Sequence, residues 1–169
     1  KSDIIYFNNV TGLKIPVLKP DADRLYDFGF LALNIESKGY EDFIKVMEKA
    51  RTSNPNIRAV LAGPFHRSAL CSPSHTVERF QSNIKRFRDA GGVYIEFVSS
   101  DEKPDFFSQI KNFVFLSSFS GEAQPMVLLE AQVCGCMILS LTPGFVGEMN
   151  LVKSKRFSSM KDLEVYISA

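Results

Sequence analysis

Short apolar runs that alternate with stretches of helical periodicity constrain this chain more than any other feature. Tyr26 to Leu33, Ile57 to Ala62, Val93 to Val98, Phe113 to Leu116 and Met137 to Leu141 all have strand length. Their interiors are apolar rather than alternating, the pattern of strands buried on both faces. Between them, Phe43, Ile44, Val46, Met47 and Ala50 mark one face of a helix, and Val77, Phe80, Ile84 and Phe87 mark a second. Pro104 opens a short helix through Ile110, and Pro125 opens another through Cys134. Phe157 sits in a last short strand, after which Ser159 caps a helix that sets Leu163 and Ile167 on one face. Asn54 to Asn56, Gly63 with Pro64, Gly91 with Gly92, and Gly135 supply the stops. This alternation predicts an α/β fold with a doubly wound, Rossmann-like parallel sheet.

Bulk properties narrow the reading further. The chain of 169 residues suffices for one well-buried domain. A net charge of +1 implies no general attraction to nucleic acid or membrane, and Lys85, Arg86 and Arg88 read as a solvated helix face. Cys71, Cys134 and Cys136 cannot all pair and lack zinc spacing, which points to a reducing compartment, the cytoplasm. His66 and His75 near Cys71 complete no four-ligand set and read as polar residues of loops and caps. No apolar run has the length of a transmembrane segment, and the start lacks the apolar core of a signal peptide. Residues 1–22 read as a strand end and a linker punctuated by Gly12, Pro16 and Pro20.

In a doubly wound sheet, ligands bind beyond the C-terminal strand ends where strand order reverses. The segments that follow the strand runs are 34–38, 63–65, 99–101, 117–124 and 142–148. The most telling is the loop and helix bracketed by Glu122 and Glu130. If Pro125 opens the helix, Glu130 projects from its second turn while Glu122 waits in the preceding loop, with unpaired backbone N–H groups between them. Helix N-termini attract anions and carboxylates accept from hydroxyls, so the arrangement suits a ligand with phosphate in the middle and hydroxyls at both ends. A nucleotide sugar is such a ligand.

At these residues the chain resembles the C-terminal, donor-binding domain of GT-B glycosyltransferases of the retaining group 1, or family 4, type. Glu122 to Glu130 resembles the family's acid-x7-acid signature, followed by Ala131, the stop at Cys134 and Gly135, a strand, and Gly144 to Glu148. Asn8 to Val10 resembles its Asn-Gly-Val after the interdomain crossover, Lys38 with Gly39 the end of its Glu-Lys-Gly motif, and Gly63 the end of its second strand. The resemblance implies that residues 1–169 form one GT-B half-domain and that the N-terminal acceptor domain is absent from this chain. It implies a nucleotide-sugar-dependent transferase, inactive in isolation, that moves a hexose with retention to a glycan or lipid-linked acceptor. The implied catalytic residues are Glu122 and Lys38. The implied donor-binding residues are Glu122, toward the sugar hydroxyls, Glu130, toward the ribose, and the backbone of Ala123, Gln124, Met126 and Val127. No metal or other cofactor is implied, because Lys38 would neutralise the departing diphosphate.

Two departures stand out. Ala32, Leu33 and Asn34 replace a Gly-Arg-Leu-like turn, so one of two expected phosphate-binding cations is missing, and Ala123, Gln124 and Pro125 replace a glycine-rich loop. They favour an alternative, a non-catalytic interaction module that keeps the α/β fold without binding a donor. Its expectation is a crevice filled by side chains such as Phe65 or Phe119. Glu122 and Glu130 also have ordinary readings as a loop acid and a solvated helix position, and Lys38 as surface charge. Phe113 and Phe115 read as strand core.

Overall fold

A computed structural model of the chain describes residues 18–68, 71–118, 125–141 and 151–168. Glu122, Ala123, Gln124, Phe119, residues 144–148 and most of the expected N-terminal linker lie outside the described residues. Within them the chain runs β1 (Tyr26–Leu31), α1 (Tyr40–Ser53), β2 (Ala59–Ala62), α2 (Val77–Asp89), β3 (Val93–Ile95), α3 (Lys103–Ser108) and β4 (Ile110–Phe115). It continues through α4 (Met126–Val133), β5 (Met137–Leu141), β6 (Ser154–Phe157) and α5 (Met160–Ser168). All six strands are parallel and stand in the order β3-β2-β1-β4-β5-β6. The doubly wound, Rossmann-like sheet expected from the alternation is what forms.

Two cores explain why the strand interiors read as apolar throughout. Phe28, Phe30, Leu61, Val114 and Leu139 face α1, α2 and α5, while Val60, Phe113, Phe115 and Ile138 face α3 and α4. Successive side chains of each strand thus enter opposite layers. Phe113 and Phe115 are core, as expected.

Several boundaries shift for physical reasons. β1 ends at Leu31, not Leu33, because Ala32 and Leu33 turn out of the sheet into the loop that carries Lys38. β3 stops at Ile95, not Val98: its neighbour β2 ends opposite it at Ala62, so Glu96 and Phe97 have no strand to pair with. β4 starts at Ile110, inside the segment expected to be helical. Its polar residues are matched at the strand's start, where Lys111 Nζ lies 2.8 Å from Asp27 Oδ1 and Asn112 Nδ2 donates to the Asp27 carbonyl at 2.9 Å. Ser159 does cap α5, accepting from the Asp162 N–H at 3.2 Å, and Leu163 and Ile167 are buried on one face.

Outside the site, the cysteines and basic residues keep ordinary roles. All three thiols are unpaired. His75 donates from Nε2 to the His66 carbonyl at 3.0 Å and stacks on Phe65 with ring centroids 4.8 Å apart. The basic face of α2 is paired: Lys85 with Asp89, Arg86 with Glu48, and Arg88 over the Tyr94 ring. Among the described residues, no helix is long and apolar enough to cross a membrane.

Candidate functional site

The direction of strand order reverses between β1 and β4. From β1 the chain moves outward through β2 to β3, then crosses back under α3 to β4 on the other side of β1. Loops leaving β1 and β4 therefore diverge, and a cleft of about 410 Å³ opens over their C-terminal ends, within the range of small-ligand sites. Its floor is the ends of β1 and β4, including Phe30, Leu31, Phe113 and Phe115. One wall carries Leu33 and Lys38, another Phe97, Val98 and Lys103, and Pro125, Met126 and Val127 bring the start of α4 to its edge.

The loop after β1 is held by backbone bonds. Glu36–Lys38 form a 3-10 turn that ends at Gly39 with φ 84°. A Cβ at Gly39 would lie 2.6 Å from Leu116 Cβ, so only glycine lets the turn close against the loop after β4. From that loop, the Ser118 N–H donates to the Ser37 carbonyl at 2.8 Å. On the other side, Asn34 Nδ2 donates to the Gly63 carbonyl, which also accepts from Tyr94 Oη at 2.9 Å. At Gly63, φ is 122° and an added Cβ would sit 1.7 Å from the Ala32 oxygen. This glycine lets the ends of β1 and β2 approach.

Lys38 comes to the cleft from this turn, and burial holds its ammonium below the usual lysine pKa. Its neighbour Glu36 has no part in the cleft. Its carboxylate accepts from the Ser72 hydroxyl at 2.6 Å and the Ser72 N–H at 2.9 Å, bonds that hold its pKa down.

Pro125 occupies the N-cap position of α4 rather than its first helical residue, so Met126 and Val127 open the helix. Their N–H groups belong to the first turn, which has no intrahelical acceptors. Glu130 stands one turn further on and is engaged: its two oxygens each lie 2.9 Å from Lys103 Nζ. Sequence reasoning missed Lys103, which sits 27 positions earlier on α3. Nothing in local periodicity links the two; only the packing of α3 beside α4 does. Of the expected site residues, the fold thus brings Lys38, Met126 and Val127 to one cleft and sets Glu130 behind Lys103 at its margin.

Leu33 stands at the cleft wall and is 49% exposed, an apolar residue where a cation was expected. Phe97 at the opposite wall is 68% exposed. Phe65 does not fill the cleft, since its ring is stacked on His75.

Comparison with known proteins agrees with this architecture. Residues 24–169 match the sequence profile of the family described as Glycosyl transferases group 1. By sequence, no curated protein matches the chain. The fold resembles the C-terminal domain of the glycosyl transferase group 1 family protein LpcC from Francisella tularensis, with TM-score 0.63 and 18% identity over 84% of this chain and 73% of that one. It also resembles Alr3699/HepE from Anabaena, solved with UDP and glucose, with TM-score 0.65 and 15% identity over 87% of this chain. A third likeness is sucrose-phosphate synthase from Thermosynechococcus elongatus, with TM-score 0.64 and 15% identity over 88% of this chain. The chain spans 38% of the Anabaena protein and 36% of the synthase. With its α/β half-domain of the GT-B type and a profile match over nearly its whole length, the chain belongs to the group 1 glycosyltransferase family.

Proposed function

We propose that this chain is the donor-binding half of a nucleotide-sugar-dependent glycosyltransferase, residues 1–169 forming one C-terminal GT-B domain. It moves a hexose with retention to a glycan or lipid-linked acceptor held by an N-terminal domain, in a reducing, cytoplasmic setting. The observation that carries the reading is the cleft at the reversal of strand order, where Lys38 and the start of α4 converge. The Anabaena protein solved with UDP and glucose, built on a similar fold, adds support.

In this reading the chain works by positioned charge and hydrogen bonds, with no metal. Met126 and Val127 N–H groups and the Lys38 ammonium bind the diphosphate, and Lys38 stabilises the charge that grows on it as the glycosidic bond breaks. Ala123 and Gln124 extend that cradle, Glu122 accepts from hydroxyls of the transferred sugar, and Glu130 accepts from the ribose. Neither acid serves as a general base.

Isothermal titration of the chain with UDP, GDP and ADP tests the proposal. One of them is expected to bind, and Lys38→Ala and Glu130→Ala to weaken it about tenfold or more. No binding by the wild-type chain, or affinity untouched by both substitutions, overturns the assignment. Alone, the chain is expected to bind without transferring sugar.

Exposed Leu33 and Phe97 at the cleft mouth favour a second reading, a non-catalytic interaction module. Thermal unfolding separates the two. A bound donor at a hundredfold excess over its dissociation constant stabilises by about 2.7 kcal/mol, whereas the module gains stability only from a protein partner.

A further inference from the structure

Lys38 reaches the cleft from a turn that does not hold itself. Glu36–Lys38 is a single 3-10 turn, and Ile35 before it supplies no side-chain cap. Its backbone bonds run from the Lys38 N–H to the Ile35 carbonyl at 3.1 Å and from the Gly39 N–H to the Glu36 carbonyl at 3.0 Å. Such turns have poorer hydrogen-bond geometry than an α-helix, so the place of Lys38 depends on what grips the turn from outside. The loop after β4 holds one side, through the Ser118 N–H on the Ser37 carbonyl. The other side is held from the loop after β2 and the first turn of α2.

There a chain of hydrogen bonds runs from Arg79 to Glu36, and each link has one direction. Arg79 Nη1 donates to Ser74 Oγ at 2.9 Å, and the Ser72 hydroxyl donates to Glu36 Oε1 at 2.6 Å. A hydroxyl has one hydrogen, and that of Ser72 is used on the carboxylate. Across the 2.7 Å between the two serine oxygens it is therefore Ser74 that donates. Every hydrogen points from the guanidinium toward the carboxylate, and such links polarise one another. The Ser72 N–H adds a bond to Glu36 Oε2 at 2.9 Å. From its other arm, Arg79 Nη2 donates to Glu41 on α1 at 2.7 Å. Arg79 thus grips the chain on both sides of Lys38, at Glu36 through the serines and at Glu41 directly. Arg79, Ser74, Ser72 and Glu36 do not line the cleft, whereas Lys38 does.

We propose that Ser72 is a positioning residue for the donor: with Ser74 and Arg79 it clamps Glu36, and so fixes the turn that presents Lys38 to the diphosphate. The inference rests on the donor-binding reading above. It goes beyond holding a loop in place, because a clamp that acts through Lys38 loses its effect on binding once the ammonium is gone.

A double-mutant cycle tests it, read by isothermal titration with whichever of UDP, GDP and ADP the 169-residue chain binds most tightly. Ser72→Ala removes the central link and no charge, so a change in the electrostatic field cannot stand in for lost positioning. It is expected to weaken binding about fivefold, and Ser72→Thr, which keeps the hydroxyl, to stay within about 1.5-fold of wild type. In a Lys38→Ala chain, Ser72→Ala is expected to change affinity by less than about 1.5-fold. If Ser72→Ala loses cooperative thermal unfolding, Ser74→Ala breaks the same chain at an exposed residue, with the same pattern expected. No loss in the folded variant, or a loss of the same size with and without the Lys38 side chain, overturns the inference and leaves the donor-binding reading standing. A wild-type chain that binds none of the three nucleotides overturns both.

Discussion

The two ends of the sheet hold their cations in opposite ways. At the end where the strands begin, Arg24 is buried, its side chain 2% exposed, and its guanidinium is surrounded by acceptors. Nη1 donates to the Ile110 carbonyl at 2.5 Å and Nη2 to the Cys134 carbonyl at 3.2 Å, while Nε faces the Lys19 carbonyl and the Asp21 carboxylate. These bonds tie the start of β4 and the end of α4 to the segment before β1. At the end where the strands finish, Lys38 and Lys103 stand at an open cleft, and Lys103 has Glu130 for two of its three donors. A cation saturated by backbone carbonyls serves the fold, whereas one with donors left over at a concave surface can serve a ligand.

The largest effect expected from this contrast is on stability at the end where the strands begin. Arg24→Met leaves buried carbonyls without donors, and is expected to cost roughly 3 kcal/mol, a fall in Tm of roughly 6 to 12 °C. Nucleotide affinity measured below the new Tm should stay within about twofold of wild type, being set at the other end of the sheet. A variant that kept its Tm and lost binding would invert the comparison.

The open end should answer in the opposite sense. Lys38→Ala is expected to weaken nucleotide diphosphate binding about tenfold and to move Tm by less than about 2 °C, because the charge it removes is one that burial already disfavours. Titration sharpens this further. Binding an anion favours charged Lys38, so affinity is full below its pKa and is lost as pH rises through it. Burial places that loss below the pH at which an ordinary lysine deprotonates. In Lys38→Arg, isothermal titration across alkaline pH should show the loss removed.

How much of this contrast was legible in the sequence follows from the range of the forces involved. β1, β2 and β5 and the helices between them announce themselves because one strand or helix face of apolar residues is a local pattern. The start of β4 was hidden because Lys111 and Asn112 are polar, and what permits them in a central strand is Asp27 on β1. The end of β3 was hidden because it depends on where β2 stops. At the site, Lys38, Met126, Val127 and Glu130 were named by the resemblance to a family, whose motifs are contiguous in sequence. Lys103 carried no such signal, since its partner lies on another helix. Arg24 was silent for the same reason, its acceptors being 86 and 110 positions away.

The smallest effect belongs to neither end. Lys85 and Asp89 pair at 2.5 Å on the outer face of α2 with side chains 78% and 62% exposed. Lys85→Ala should change stability by less than about 0.5 kcal/mol and leave nucleotide binding as it was, which urea unfolding and calorimetry can check. A larger change would show that surface charge on α2 is coupled to the rest of the fold.

The central claim, that ligand chemistry resides at the open end of the sheet, is tested most directly by following the backbone amides of the labelled chain by NMR during titration with UDP, GDP or ADP. Saturable shifts are expected at Leu33, Lys38, Lys103, Met126 and Val127, and none at Asp27, Arg58 or Ile110, where the strands begin. Shifts centred on the end where the strands begin, or no saturable shift with any of the three nucleotides, would contradict it.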